Sequence, residues 1–141
     1  MKLIGFNFTK VSAERISSNF KGINISTKID IVDVSEAKAD LFNSKEAFLS
    51  LKFSFGLNYD PDIAKISFEG NMLVAVEPKL SKEVLSTWKE KNAPEAFNIF
   101  TLNSILRKST LKALQLEEEL GIPLHLQLPS LKKEEKEDTE N

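Results

Sequence analysis

From residue 2 to residue 77, apolar residues recur mostly at every second position, the period of a strand with one covered face. Residues 2–12 place Leu3, Phe6, Phe8 and Val11 among polar neighbours and predict a first strand with an irregularity at Gly5. Residues 13–21 fit a bulged continuation, a turn or a loop. Residues 23–34 give the clearest strand, with Ile23, Ile25, Thr27, Ile29 and Ile31 on one face and Asn24, Ser26, Lys28 and Asp30 on the other. That is the pattern of a sheet with one wet side. Residues 35–45 are polar and read as a connection, with Leu41 and Phe42 free to tuck against the core edge. Leu49, Leu51, Phe53, Phe55 and Leu57 define a third strand over 47–58, and Ala64, Ile66, Phe68, Met72, Val74 and Val76 a fourth over 63–77. Asn58-Tyr59-Asp60-Pro61-Asp62 between them is a turn by composition, so the two strands form a long hairpin that Pro78 ends.

Beyond Pro78 the period changes to that of helices. Ser81 is placed to cap a short helix over 82–91 that carries Val84, Leu85 and Trp88. Pro94 opens a second, long helix that runs to Leu120, with a break allowed near Thr101–Ser104. Its first half, through Phe97, Ile99, Phe100, Leu102, Ile105 and Leu106, leaves little polar circumference. Gly121 is the expected C-terminal cap and Pro123 the stop. Leu124-His125-Leu126-Gln127-Leu128 alternates again, as in an extended segment laid on apolar surface with its leucines inward and His125 outward. After Leu131 apolar residues vanish, and 132–141 reads as a disordered charged tail. The chain is thus one α+β domain over 1–131, a size able to hold a core unaided.

Composition narrows the function. There is no cysteine, which removes disulfides, thiolate nucleophiles and cysteine zinc sites, and fits a reducing, cytoplasmic setting. No stretch has the length of a signal peptide or a membrane span. The net charge of −2 resides wholly in the last ten residues, so the body is neutral and has no bulk attraction for nucleic acid or anionic membrane.

Enzyme chemistry has little to work with. The single histidine, His125, reads as a solvent-facing residue rather than a base or ligand. The five glycines are scattered and build no phosphate-binding loop, so no cofactor is expected. Asp60 and Asp62 belong to a turn rather than a calcium loop. Glu117-Glu118-Glu119 reads as a solvated helix end. Arg107, Lys108 and Lys112 form a small basic patch without interleaved aromatics, a poor nucleic-acid surface. What remains is apolar surface. Ten phenylalanines, a helix greasy on more than one side and a leucine-rich arm exceed what one sheet face can cover. The surplus points to self-association and to binding of other polypeptides.

Residues 103–131 resemble the SecB protein-export chaperone family. Asn103-Ser104-Ile105-Leu106 is similar to that family's Asn-Ile-Leu helix opening with one residue inserted, Gly121-Ile122-Pro123 to its helix close, and Leu126-Gln127-Leu128-Pro129 to its extended crossover. The order of elements from residue 1 fits as well. The resemblance implies four antiparallel strands and then a long helix; with the short helix read from the pattern, the expected fold is a four-stranded antiparallel sheet followed by a short and a long α-helix. It further implies a homotetramer built as a dimer of dimers, and unfolded chains held in an apolar groove beside the crossover. It also implies, by analogy with some relatives, chaperoning of a toxin–antitoxin partner. Leu124, Leu126 and Leu128 would line or pack that groove, and Trp88, Phe97 and Phe100 join them as candidate client- or partner-binding residues. The chain departs from the family where it turns charged at Lys132 instead of entering a second helix. The family's acidic SecA-binding surface has no counterpart in this neutral body. The helix at 82–91 is an addition that supplies a replacement groove wall.

Overall fold

A computed structural model describes residues 1–38 and 45–133. Four strands come first: β1 (Lys2–Arg15), β2 (Asn24–Ala37), β3 (Ala47–Asp60) and β4 (Ala64–Val76). They form one antiparallel sheet in the order β1-β4-β3-β2. β3 and β4 are the central hairpin, and β1 and β2 are the edges. Two helices follow, α1 (Pro78–Thr87), extended by a 3-10 turn (Trp88–Glu90), and α2 (Glu95–Leu120). The α+β class, the strand count and the helix order expected from periodicity are all present. Leu41 and Phe42, and the tail from residue 134 on, lie outside the described residues.

The inner sheet face is built by the alternation. Leu49 through Tyr59 at odd positions and Ala64 through Val76 at even positions are buried, while Lys52, Asn58, Lys65 and Glu69 face out. Three register shifts, at Leu3/Gly5, Phe8/Lys10 and Ile31/Asp33, each bulge one residue out and switch parity. As a result Leu3, Phe6, Phe8, Val11, Ala13 and Val34 share the inner face with the rest. Phenylalanines tile this face. Phe6 stacks on Phe53 at 4.9 Å between centroids, Phe8 lies 5.0 Å from Phe68, and Phe55 stacks on Phe68 at 5.6 Å. Gly70 makes room for them, since a Cβ there would overlap the Phe53 ring and the Asn7 carbonyl oxygen.

α2 lies across this face. Phe97, Thr101, Ile105, Ser109, Ala113 and Glu117 are its buried residues, a row spaced four apart. Its N-terminal half covers Leu51, Phe53 and Met72, and its C-terminal half covers Phe55, Leu57 and Tyr59. The helix is continuous where a break was allowed. Thr101 donates to the Phe97 carbonyl and Ser104 to the Phe100 carbonyl, so both hydroxyls bond back within the helix. Ser81 is not a cap. α1 starts earlier, with Pro78 in its first turn and Glu77 as N-cap, because proline presets the helical φ; Ser81 is buried inside the helix. Asn58 and Tyr59 belong to β3 rather than to the turn, and the strand partner of Tyr59 is Ala64. Gly121 closes α2 in the left-handed conformation at φ 65°, as the sequence predicts.

Candidate functional site

At the N-terminal end of α2 the linker between the helices props open a cleft. Lys91 takes a left-handed φ of 60° and its amide donates to the Trp88 carbonyl at 3.0 Å; the Asn92 amide donates to the Thr87 carbonyl at 3.2 Å. Asn98 Nδ2 donates to the Ala93 carbonyl at 3.1 Å and ties α2 to this linker. The cleft so formed has a volume of about 260 Å³. Trp88, Ala93, Phe97 and Leu102 line it from the helical side and Ile29, Ile31 and Val34 from β2, with Asp30 and Lys91 at the polar margin. Aromatic walls with a few polar groups suit an extended apolar chain.

The six residues singled out from the sequence do not form one site. Trp88 and Phe97 meet in the cleft. Phe100 packs half-buried against the core from α2 and is not part of the cleft lining. Leu124, Leu126 and Leu128 follow the other end of a helix of 26 residues, about 39 Å long. Leu124 is half-buried, whereas Leu126 is 38% and Leu128 47% exposed. The inward alternation expected for this arm is therefore reversed at its centre. The β2 side of the cleft went unrecognised because Ile29, Ile31 and Val34 read simply as core.

The reversal has a clear cause. Glu117, expected in a solvated helix end, is fully buried. Three donors converge on its carboxylate. Tyr59 donates its hydroxyl to Oε2, the His125 amide donates to Oε2 at 3.1 Å, and His125 Nδ1 lies 2.9 Å from Oε2 and 3.1 Å from Oε1. A carboxylate only accepts, so geometry assigns the proton to Nδ1. The His125 side chain, 8% exposed, is consequently drawn inward, contrary to the expectation that it faces solvent. The neighbouring leucines turn out. Burial, then the bond to Glu117 and its negative charge, hold the Tyr59 hydroxyl well above its ordinary pKa, which keeps it a donor. Spacing gave no signal for this cluster, because Glu117 and His125 are joined to Tyr59 only through the tertiary fold.

Arg15 of β1 secures the helix end separately. Its guanidinium donates to the Leu120 carbonyl at 3.0 Å and lies over the Phe20 ring at 5.1 Å. Arg107 and Lys108 are exposed, Lys112 is half-buried, and Lys108 Nζ sits 5.7 Å from the Phe6 ring centroid. Among the described residues no group of three His, Asp or Glu side chains is placed to hold a metal, and no helix is long and apolar enough to cross a membrane.

This sheet-and-helix arrangement is that of SecB-like chaperones. A SecB-like chaperone of Mycobacterium tuberculosis, solved in complex with a ChAD peptide from the HigA1 antitoxin, matches this chain with a TM-score of 0.53. The match covers 93% of this chain and 87% of the other at 14% sequence identity. No protein-family model and no curated protein matches the sequence. The likeness resides in the fold, as the order of elements predicts.

Proposed function

We propose that this chain is an ATP-independent, SecB-like chaperone that binds extended apolar segments of other polypeptides, and that it is a cytoplasmic homo-oligomer with no enzymatic activity. The observation that carries this reading is unsatisfied apolar surface on a SecB-like fold. An aromatic cleft opens beside β2, and Ile99, Leu106, Leu111, Leu126 and Leu128 stand exposed along α2 and the arm. Such surface is costly for a solitary subunit and useful to one that receives other chains. Trp88 and Phe97 are proposed to contact the client, and Leu124, Leu126 and Leu128 to flank it, with Phe100 supporting Phe97 from the core. The purified protein is expected to slow aggregation of an unfolding client at stoichiometric ratio; no effect at tenfold excess ends this reading.

A second reading, a module devoted to one defined partner such as an antitoxin, gains support from the peptide bound to the mycobacterial structure. Co-purification that yields one partner instead of a spread of clients favours it. A nucleic-acid role for Arg107, Lys108 and Lys112 draws the least support, since the patch is small and the body neutral.

A further inference from the structure

Segment 122–131 divides at His125. Before it, Ile122 is buried and its amide donates to the Glu117 backbone carbonyl at 3.1 Å. At it, the Glu117 side chain grips both the amide and the imidazole. After it, Leu126, Leu128 and Leu131 are exposed. Beyond Ile122, the hydrogen bonds that hold the described part of this segment therefore converge on one buried carboxylate. The charged and titratable groups around it are Tyr59 from β3 and His125 from the arm, with Arg15 from β1 occupied by the helix-end carbonyls.

We propose that Tyr59, Glu117 and His125 form a latch that positions the leucine arm for its partner. Glu117 is the positioning residue. It acts through His125 and touches no client itself. Three donors aimed at one group require an acceptor with no proton of its own, which a carboxylate is and a carboxamide is not. Closed, the latch fixes the base of the arm, so Leu126 and Leu128 are presented without the ordering cost a free arm carries on each binding event. Open, the arm swings from beyond Ile122, whose burial and backbone bond persist, while Arg15 still holds the helix end. This inference rests on the polypeptide-binding reading for its consequence but not for its mechanism.

Residue-resolved hydrogen exchange on the full chain separates the two. The amides of Ile122 and His125 report different things: the first bonds the Glu117 backbone, the second its side chain. In the native chain both are expected to be protected. In Glu117→Gln the His125 amide is expected to exchange roughly 10- to 100-fold faster, the loss of one charge-assisted bond, with Ile122 unchanged. Capture of reduced, alkylated α-lactalbumin, the unfolded probe, is expected to weaken by at least about threefold, a fraction of the ordering cost. His125→Ala keeps the amide bond and loses the imidazole, so an intermediate result supports the latch even if Glu117→Gln folds poorly. A His125 amide unprotected in the native chain, or equally protected in both variants, overturns the latch. Lost protection with unchanged capture overturns the positioning role and leaves the chaperone reading intact. A native chain that captures nothing removes that reading and the positioning role together, while exchange alone still decides the latch.

Discussion

Removing the Glu117 carboxylate tests how the arm, the long helix and the sheet are held together. In Glu117→Ala three donors lose their acceptor. The Tyr59 hydroxyl has nowhere to go, because the side chain around it is 1% exposed and sits in the apolar cluster of Phe55, Leu57 and Ile66. Stranding such a donor costs about 1–3 kcal/mol. The two His125 donors sit at the rim and can regain water as the arm lifts, so they add less. The substitution removes the charge along with the carboxylate and leaves no unpaired charge behind, so the stranded hydroxyl and the cavity left by the lost side chain set the expected loss at about 3 kcal/mol. For a domain of this size that is a fall in Tm of roughly 10 °C. Urea unfolding followed by Tyr and Trp fluorescence measures it, and an unchanged m-value shows that the native fold persists. Tyr59→Phe, which leaves the carboxylate with two other donors, is expected to cost only about 1 kcal/mol. A loss below about 1 kcal/mol in Glu117→Ala refutes the burial and bonding assigned to this carboxylate.

Other consequences follow from the same packing. Ser109 faces the sheet with its hydroxyl buried and without a hydrogen-bond partner, so Ser109→Ala is expected to raise stability by about 1 kcal/mol in urea titration. Tyr59 has a folded pKa raised above its unfolded value of about 10. Its stabilising contribution is therefore complete below pH of about 10 and is lost as pH rises beyond that. Comparing urea midpoints of the native chain and Tyr59→Phe between pH 9 and 11 should show the steeper decline in the native chain. Leu126→Asp introduces a charge at an exposed position, so stability should change by no more than about 0.5 kcal/mol while client capture falls. Trp88→Ala should likewise weaken capture, and aggregation assays under matched conditions check both.

The sheet was legible because its periodicity is clean, and even its flaws were written in the chain. Leu3 to Phe6, Phe8 to Val11 and Ile31 to Val34 are apolar pairs three apart inside strands. A strand can keep both members of such a pair on one face only by bulging a residue between them, and a register shift falls in each interval. The irregularity at Gly5 was read from the glycine inside the alternation; the other two shifts were not anticipated, though they obey the same spacing rule. The helix was harder. Its inward row carries Thr101, Ser109 and Glu117, while Ile99, Leu106 and Leu111 look outward, so hydrophobicity alone misplaces the buried stripe. Thr101 and Ser109 are small enough to let α2 approach the phenylalanine-lined sheet, a packing fact invisible along one helix. Glu117 and His125 were misread for a similar reason. Each looks solvated by its neighbours in sequence, and only the fold brings Tyr59 to Glu117 and so buries the pair. Of the candidate residues, Trp88 and Phe97 converge because the left-handed turn at Lys91 folds the 3-10 turn back on α2, whereas the leucines stand a helix length away.

A single subunit leaves apolar surface uncovered that a second chain is proposed to cover. The exposed Ile99, Leu106 and Leu111 of α2, with Met1, Ile4 and Val11 along the β1 edge, are the surfaces available for that purpose. The most direct measurement is the mass of the purified protein by light scattering coupled to gel filtration, across a tenfold dilution series. A stable mass of at least twice the 15.9 kDa chain is the expected result. A homogeneous 15.9 kDa particle at every concentration would contradict it.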